Sequence, residues 1–398
     1  MQKLIYLDSN DFSDLSAPAA ALGADDAAIL AALRKAQADN SARILMSPPL
    51  LSEAVHATMA NKQDSMRRAS LMRELCGTNI LRLPTDICSM EIDRALSNDR
   101  TDLTLKDILS SEDEWFGCKF DANSLSESRR NAQQTIDQGL DRLPRAQRRK
   151  FKSQLDLSKA SSKPIFRQLI KDGRSTPTIE SDPLLSLINQ DLFVDWFLRE
   201  KSDEDIRQHL RRLMSDPYVL FGHFVDRTGH REQLYALTRT AGEKLSTDLE
   251  SVGQNLMNLF EISTEAHSTI DTRKLAKQFV SKEFVRRLLT GFSSRSLDSL
   301  SESEIDSLFC LCPAIATMTH VILEYVHTLV QSNLSRFQTG NRQPTTPKKS
   351  DFGDLMHLLY APYMDIFRCD ARFGAHLKSH KPIRTKIAAR RTEILAML

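Results

Sequence analysis

Four carboxylates lie at positions in the sequence where a protein built on a β-sheet could use them for catalysis. Asp8 directly follows a short apolar run at the amino end, and Asp370 follows another near the carboxyl end. Glu53 lies in the first turns of a predicted helix, and Asp354 opens a second one. In an open parallel sheet, ligands gather outside the carboxyl ends of the strands. We therefore expect all four side chains at one edge of a sheet.

Carboxylates that are brought together repel one another, and a hard divalent cation removes that repulsion. Because the ligands are all oxygens, the set favours Mg²⁺ or Mn²⁺ over zinc. One or two such ions can activate a water molecule and stabilise the charge that develops when a phosphodiester is cleaved. The four acids thus indicate metal-dependent hydrolysis.

The elements that would position these acids alternate between strands and helices. Ser47, followed by two prolines, predicts the start of the helix that carries Glu53, because the hydroxyl can cap the helix and proline suits its first turn. A basic tail at 385–398 predicts a final helix. Strands that alternate with helices of this length indicate a parallel sheet. Apolar runs predict strands at residues 3–7, 43–46, 79–83 and 365–369.

The middle of the chain follows a different pattern. From about residue 95 to 338 it reads as amphipathic and charged helices, and the polar segment 338–350 predicts a mobile loop. The most economical interpretation is one α/β domain, residues 1–95 plus 345–398, split by a large all-α insertion at 96–344. The clearest helices are predicted at 184–200, 203–214, 231–250, 275–289 and 314–334.

Three segments resemble the PIN-domain nucleases. They are LIYLDSNDF at 4–12, SPPLLSEAVH at 47–56, and DFGDLMHLLYAPYMDIFRCDARF at 351–373. That family carries an Asp that closes the first strand, commonly within D-x-[N/S/T], then an acid on a nearby helix, an Asp at a helix start and an Asp after the fourth strand. The long interruption departs from the family, whose domains ordinarily run through without it.

The resemblance implies a PIN-like fold and a metal-dependent endonuclease, with RNA favoured over DNA, of the toxin or antiviral-defence type. It places Asp8, Glu53, Asp354 and Asp370 in catalysis and as ligands of Mg²⁺ or Mn²⁺. Asn10 and His357 would contact substrate. The run HLLYAPYMD resembles a subgroup with a His and a second Asp here, so Asp365 would be a further ligand.

Each of these residues also has a purely structural interpretation. Asp8 and Asp370 suit turns, Glu53 suits the amino end of a helix, and Asp351 competes with Asp354 as a helix cap. His357 alone on a helix is commonly structural. Asp365 could instead pair with Arg368 or Arg372.

Other functions also stay open at this stage. The α/β part could be a catalytically inactive PIN-like scaffold, with the helical insertion binding a regulatory partner or a second copy of the chain. A structure-specific DNA nuclease is a further alternative, although no helix-hairpin-helix clamp is visible. We find no phosphate loop of the G-x-x-x-x-G-K-[S/T] type and no G-x-S-x-G motif, so an ATPase or an α/β-hydrolase is not expected.

A basic cluster in the helical segment suits contact with a nucleic-acid backbone. The run PRAQRRKFK at 144–152 contains Arg148, Arg149 and Lys150, which could bind phosphates without reading sequence. A run of this kind is more often a solvated helix face or a flexible arm.

Composition sets the outer limits. The 398 residues carry 54 Lys and Arg against 52 Asp and Glu, so the overall charge of +2 identifies no partner. Six scattered cysteines without a C-x-x-C pair favour neither a disulfide framework nor a zinc site. No signal peptide and no apolar run of about 18 residues is visible, so a cytoplasmic protein without a membrane span is expected.

Overall fold

Residues 3–6 begin a four-stranded parallel sheet in the computed structural model of this protein. The sheet has the order β2-β1-β3-β4, and all of its neighbouring strands run parallel. The register aligns Ile5 with Ile44 on one side and with Ile366 on the other. The strands are β1 (Lys3–Tyr6), β2 (Ala42–Leu45), β3 (Ile366–Arg368) and β4 (Lys386–Ala388).

The chain divides into two compact units, Met1–Leu109 with Tyr235–Leu398, and Ser110–Leu234. The sheet belongs to the first unit. The second contains an antiparallel ribbon of Glu114–Trp115 and Cys118–Lys119. The structure describes residues 2–56, 62–110, 190–216, 270–345 and 351–398, together with the short pieces 114–115, 118–119, 126, 130, 144–146, 149, 188, 219 and 260–261.

Helices account for most of the described elements. Before the second unit they are α1 (Ser9–Leu15), α2 (Ala24–Ala38), α3 (Pro48–His56), α4 (Lys62–Cys76), α5 (Pro84–Leu96) and α6 (Leu105–Ile108). The second unit has α7 (Gln190–Phe197) and α8 (Asp203–Ser215). After it come α9 (Thr272–Phe279), α10 (Lys282–Phe292), α11 (Glu302–Cys310), α12 (Pro313–Gln338), α13 (Asp351–Leu358), a 3₁₀ turn (Ala361–Tyr363), α14 (Ala371–Lys378) and α15 (Glu393–Met397).

Three of the predicted strands are confirmed, as is the α/β class with a parallel sheet. Residues 3–7, 43–46 and 365–369 form β1, β2 and β3 to within a residue or two. The run at 79–83 forms only two isolated bridges, Ile80 to Met46 and Leu81 to Leu109. The predicted tail helix is wrong over its first half, because residues 386–388 pair with β3 as strand β4. Pairing with β3 buries the side chain of Ile387, and this burial outweighs the local helical pattern.

The helix predictions succeed where local signals are clear. Helix α8 matches the prediction for 203–214, α7 lies within 184–200, and α12 extends the prediction for 314–334 at both ends. The single helix expected at 275–289 is two helices, since the Ser281 hydroxyl accepts a hydrogen bond from Phe284 N at 3.3 Å and caps a new start. The helix expected at 231–250 lies outside the described residues.

The helices after residue 270 share a core with the sheet. Tyr6, Leu45 and Phe367 of the strands belong to the same buried cluster as Val321 and Ile322 of α12. The boundaries expected from sequence, 1–95 plus 345–398 against 96–344, therefore differ from the units that the contacts define. The physical reason is that an amphipathic helix must bury its apolar face, and α9 to α12 bury theirs in the core of the sheet unit.

Among the described residues, no single helix combines the length and the apolar composition needed to cross a membrane. Helices α11 and α12 meet that test only when taken as a pair, and they are bent by 100° at the break between them.

A buried carboxylate holds the amino end of α12. Glu91 of α5 accepts hydrogen bonds from Ala314 N at 2.9 Å and 3.2 Å, and from the Tyr363 hydroxyl. Burial raises the pKa of Glu91 to about 7, although the hydrogen bonds from Tyr363, Ala314 and Ile315 oppose that shift. The side chain supplies the cap that Cys312, at the capping position, does not provide.

Replacing Glu91 by Ala removes this cap and leaves buried N–H and O–H groups without an acceptor. We expect Glu91→Ala to lower the free energy of unfolding by about 2–3 kcal/mol, measured by urea denaturation. The control is Asp93→Ala on the same helix, whose half-exposed partner is Arg295, and it should cost less than about 1 kcal/mol. Equal losses for the two variants would show that the cap contributes nothing.

Candidate functional site

Two of the four predicted acids follow the ends of neighbouring strands, at the carboxyl edge of the sheet. Asp8 follows β1 and is the capping residue of α1, where its backbone N–H donates to Asp11 Oδ2 at 3.0 Å. Asp370 follows β3 and caps α14 by accepting a hydrogen bond from Arg372 N at 2.7 Å. Because β1 and β3 are paired in parallel, the two Asp residues lie at the same edge.

The third and fourth acids come from helices that meet at this edge. Glu53 lies on α3, which follows β2, and Asp354 lies in the first turn of α13 rather than at its first residue. Helix α13 approaches α3 closely at Gly353, where an added Cβ would lie 3.0 Å from Glu53 Oε1. Glycine at this position thus leaves room for the Glu53 side chain.

A buried chain of hydrogen bonds orients Glu53. Its Oε1 atom lies 3.0 Å from His357 Nε2, and His357 Nδ1 contacts the Tyr6 hydroxyl. The Tyr6 hydroxyl lies 2.5 Å from Ser47 Oγ, which also accepts from Leu50 N at 3.2 Å and so begins α3 as the sequence predicts. Both ring nitrogens of His357 are therefore engaged, and the residue is only 6% exposed. The imidazole stands behind Glu53, away from solvent.

Charge reinforces this chain. Burial alone would lower the pKa of His357, but the charge and hydrogen bond of Glu53, with the charges of Asp8 and Asp354, hold that pKa above its ordinary value. Burial would raise the pKa of Glu53, yet the His357 charge and hydrogen bond, helped by the Ser9 hydroxyl, leave it below its ordinary value. Each partner thus stabilises the charged form of the other against the effect of burial.

The pKa of Asp354 is the clearest sign that the acids are crowded together. Burial raises the pKa of its carboxyl to about 7, and Glu53, Asp8 and Asp370 add to the rise while His357 opposes it. Asp354 is therefore near enough to the other three acids to be affected by their charges. Within the described part of the chain, no Lys or Arg forms an ion pair with Asp8, Asp354 or Asp370.

The acids fit a hard divalent cation in ligand type and in charge. Their arrangement is looser than ligation requires. Among the residues that the structure describes, no group of three or more His, Cys, Asp and Glu side chains is placed so that it could hold a metal ion. The carboxylates are thus gathered at one edge, but they do not converge on one point.

Asp365 is not brought to this group. It precedes β3 at the amino edge of the sheet, where its Oδ2 accepts a hydrogen bond from Leu4 N at 2.7 Å. Four residues of strand, about 13 Å, separate the level of Leu4 from that of Asp8. Neither Arg that the sequence offered as a partner is used by Asp365, because Arg368 pairs with Asp11 and Arg372 with Asp351.

Asp351 and Asp354, the two acids that the sequence offers at the start of α13, have different neighbours. Asp351 is 3% exposed and accepts hydrogen bonds from the Tyr325 hydroxyl and from Arg372 Nη2, each at 2.5 Å. It anchors the start of α13 against α12 and α14. Asp354, one turn later, lies with Glu53.

The predicted substrate-binding residues are divided between the two units, and two of them lie outside the described residues. Asn10 is exposed in the first turn of α1, two residues after Asp8. Arg149 is exposed in the second unit, and Arg148 and Lys150 lie outside the described residues. His357, as shown above, contacts Tyr6 and Glu53.

Sequence reasoning missed Tyr6 and Asp11. A Tyr in a largely apolar strand needs a partner for its hydroxyl, and that requirement alone could have drawn attention to Tyr6. The spacing of Asp8 and Asp11 is that of a capping box, which places Asp11 in the first turn of α1. Asp11 is buried, and burial raises its pKa to about 6 against the opposing charge of Arg368.

Scans against protein-family models and searches of curated proteins and of solved structures found no match for this chain.

The raised pKa of Asp354 predicts a pH-dependent cost of folding. The folded protein holds this proton more tightly than the unfolded chain, so the contribution to stability is complete below about pH 4 and is lost as pH rises through about 7. Asp354→Asn removes that loss. In urea denaturation with EDTA present, we expect its stability gain over the wild type to be about 1–2 kcal/mol larger at pH 8 than at pH 5.5.

The matched control for this measurement is Asp365→Asn, an exposed acid on the same sheet at the opposite edge. Its difference from the wild type should not change between the two pH values. A gain for Asp354→Asn that is the same at pH 5.5 and pH 8 would contradict the electrostatic coupling of the four acids.

Proposed function

We propose that this chain is a metal-dependent nuclease of the PIN-like type that hydrolyses phosphodiester bonds in RNA. The observation that carries the proposal is the electrostatic coupling of Asp354 to Glu53, Asp8 and Asp370 at the carboxyl edge of a parallel sheet. Carboxylates that are held together repel one another, and a bound cation would remove that cost. The resemblance of the same four residues to the PIN pattern supports the same chemistry.

Asp8, Glu53, Asp354 and Asp370 would hold Mg²⁺ or Mn²⁺. When bound, such an ion supplies an activated water and stabilises negative charge during phosphodiester hydrolysis. His357 acts as a positioning residue, since its Nε2 fixes Glu53 Oε1 and its charge keeps that carboxylate ionised.

Two further residues complete the local roles. Tyr6 fixes His357 from the other side, which prevents the ring from turning away from Glu53. Asn10, exposed beside Asp8, would contact the substrate.

The biological setting follows the family resemblance alone. We propose a toxin or antiviral-defence effector in the cytoplasm, with RNA favoured over DNA. Arg148, Arg149 and Lys150 would contribute backbone contacts that weaken as salt increases. The helices outside the PIN-like elements would select the substrate, form an oligomer or bind a regulatory partner.

Cleavage assays test the proposal directly. Labelled single-stranded RNA, tRNA and single-stranded DNA are incubated with the full chain in Mg²⁺, Mn²⁺ or EDTA. We expect metal-dependent cleavage of RNA that falls at least about a hundredfold in Asp8→Asn and Asp354→Asn. Asp365→Asn should keep nearly the wild-type rate, because its side chain lies at the other edge of the sheet.

Two results would reject the nuclease as proposed. One is cleavage that survives Asp8→Asn or EDTA, which would point to a contaminant or to other residues. The other is cleavage of DNA in preference to RNA, which would favour the structure-specific DNA nuclease.

The inactive scaffold is the second candidate, and one observation favours it: among the described residues no three ligating side chains converge. Binding of Mn²⁺, measured by calorimetry on the full chain, separates the two candidates. A nuclease should bind Mn²⁺, and Asp354→Asn should weaken that binding by about tenfold or more, while Asp365→Asn leaves it unchanged. A scaffold should show no binding that depends on Asp354.

A further inference from the structure

A cluster of histidines lies between α12 and α14, away from the four acids. His320 and His327 belong to α12, His376 belongs to α14, and His380 follows α14 by two residues. These are four of the ten histidines in the chain. Each of them is partly buried. Helix α14 packs against α12 along this face.

Direct contacts connect the two helices through these rings. The His320 and His380 ring centroids are 4.5 Å apart, and the rings are inclined by 32°. His320 Nε2 lies 3.0 Å from Ser379 Oγ, which donates its own hydrogen bond to His376 O at 2.6 Å. The Ser379 hydroxyl is therefore an acceptor for His320. The end of α14 is thus attached to α12 in part through imidazoles.

The charged groups around the cluster act in both directions. Glu324 of α12 raises the pKa of His320 and of His376, whereas Arg273 lowers that of His320 and Arg372 lowers that of His376. Glu324 is itself held by Arg273 of α9 in two contacts of 2.5 Å and 2.6 Å. Arg273 also donates to His327 Nδ1 at 3.2 Å. Arg372 faces the cluster from the other end of α14, and Lys378 of that helix is turned toward Glu393.

One buried ring nitrogen of the cluster lacks an acceptor that would support protonation. His376 Nε2 is a buried atom with no hydrogen-bond partner in the described part of the chain. Two imidazoliums at the separation of His320 and His380 would repel each other strongly.

The surroundings of the rings also shift their pKa values. Burial, and then the charge of His320, lower the pKa of His380 to about 4. Burial also lowers the pKa of His320 and that of His376, although the charge of Glu324 opposes the shift in both. Since the folded protein resists protonation of these rings, their contribution to stability is complete above about pH 6.5 and is lost as pH falls toward about 4.

We propose that this histidine cluster is an acid-sensitive latch, which holds α14 against α12 at neutral pH and releases it when the medium is acidified. Helix α14 begins at Asp370, whose side chain caps it through Arg372 N. Release of α14 therefore displaces Asp370 from the other three acids. That consequence for activity rests on the proposed function, whereas the latch itself does not.

Hydrogen exchange of the full chain, followed by mass spectrometry with EDTA present throughout, tests the latch without any activity readout. After correction for intrinsic rates, we expect protection of residues 371–378 to fall about tenfold or more between pH 7.5 and pH 5.0. Strands β1 and β2 should keep their protection. The double variant His320→Gln with His380→Gln retains polar side chains that do not protonate, so its α14 should respond little to pH.

The matched control is His209→Gln on α8, a partly buried histidine of the second unit, which should leave the pH response of α14 intact. Circular dichroism at pH 7.5 verifies that the variants are folded, and His380→Gln alone serves if the double variant is not. Unchanged protection of α14 in the wild type, an equal response in the double variant, or loss of protection throughout the chain at pH 5.0 would each overturn the latch. A latch confirmed in a chain that cleaves no RNA would reject only the nuclease.

Discussion

The parallel pairing of β1 with β3 is the interaction on which the candidate site depends. It joins residues 5–6 to residues 366–367 and so brings Asp8 and Asp370 to one edge of the sheet. Closing a loop of this length costs conformational entropy, but that cost grows only slowly with loop length. The apolar side chains of the central strands offset it by burial, since Ile5, Tyr6, Ile366 and Phe367 are inaccessible to solvent.

Given that pairing, the acids are held in place by a hydrogen-bonded interior rather than by a basic surface. Tyr6 belongs to β1, and its ring stacks near Phe367 and Tyr360 while its hydroxyl reaches Ser47 and His357. One strand residue thereby connects the sheet, the start of α3 and the last turn of α13. These contacts hold the pKa of Glu53 low, so Glu53 stays charged. Asp354 is the carboxyl whose pKa is raised by the charges of the other three acids. A stable fold and a costly group of charges coexist because the neighbouring network is satisfied.

Helix α12 supports the site from behind. Its amino end is capped by Glu91, its middle holds α13 through Tyr325 and Asp351, and its histidine face contacts α14. Two elements that carry site residues, α13 with Asp354 and α14 with Asp370, are therefore positioned by one helix that carries none of the four acids. Long-range effects on the site have a physical route through this helix, since both attachments involve buried or partly buried polar groups.

The sequence by itself determined the features that local chemistry controls. The short apolar runs specify β1, β2 and β3, Ser47 with its two prolines specifies the start of α3, and the acids that follow strand ends mark an edge where charge collects. Tertiary structure alone decided the rest. Asp365 lies at the amino edge because β3 begins after it. Residues 386–388 form a strand because the free edge of β3 has backbone groups that need partners. Helix α12 joins the core of the sheet because its apolar face has to be buried. Tyr6 finds His357 only after residues more than three hundred positions apart have met. Periodicity and capping are properties of a few neighbouring residues, whereas strand partners and buried hydrogen bonds depend on which distant segments share a core.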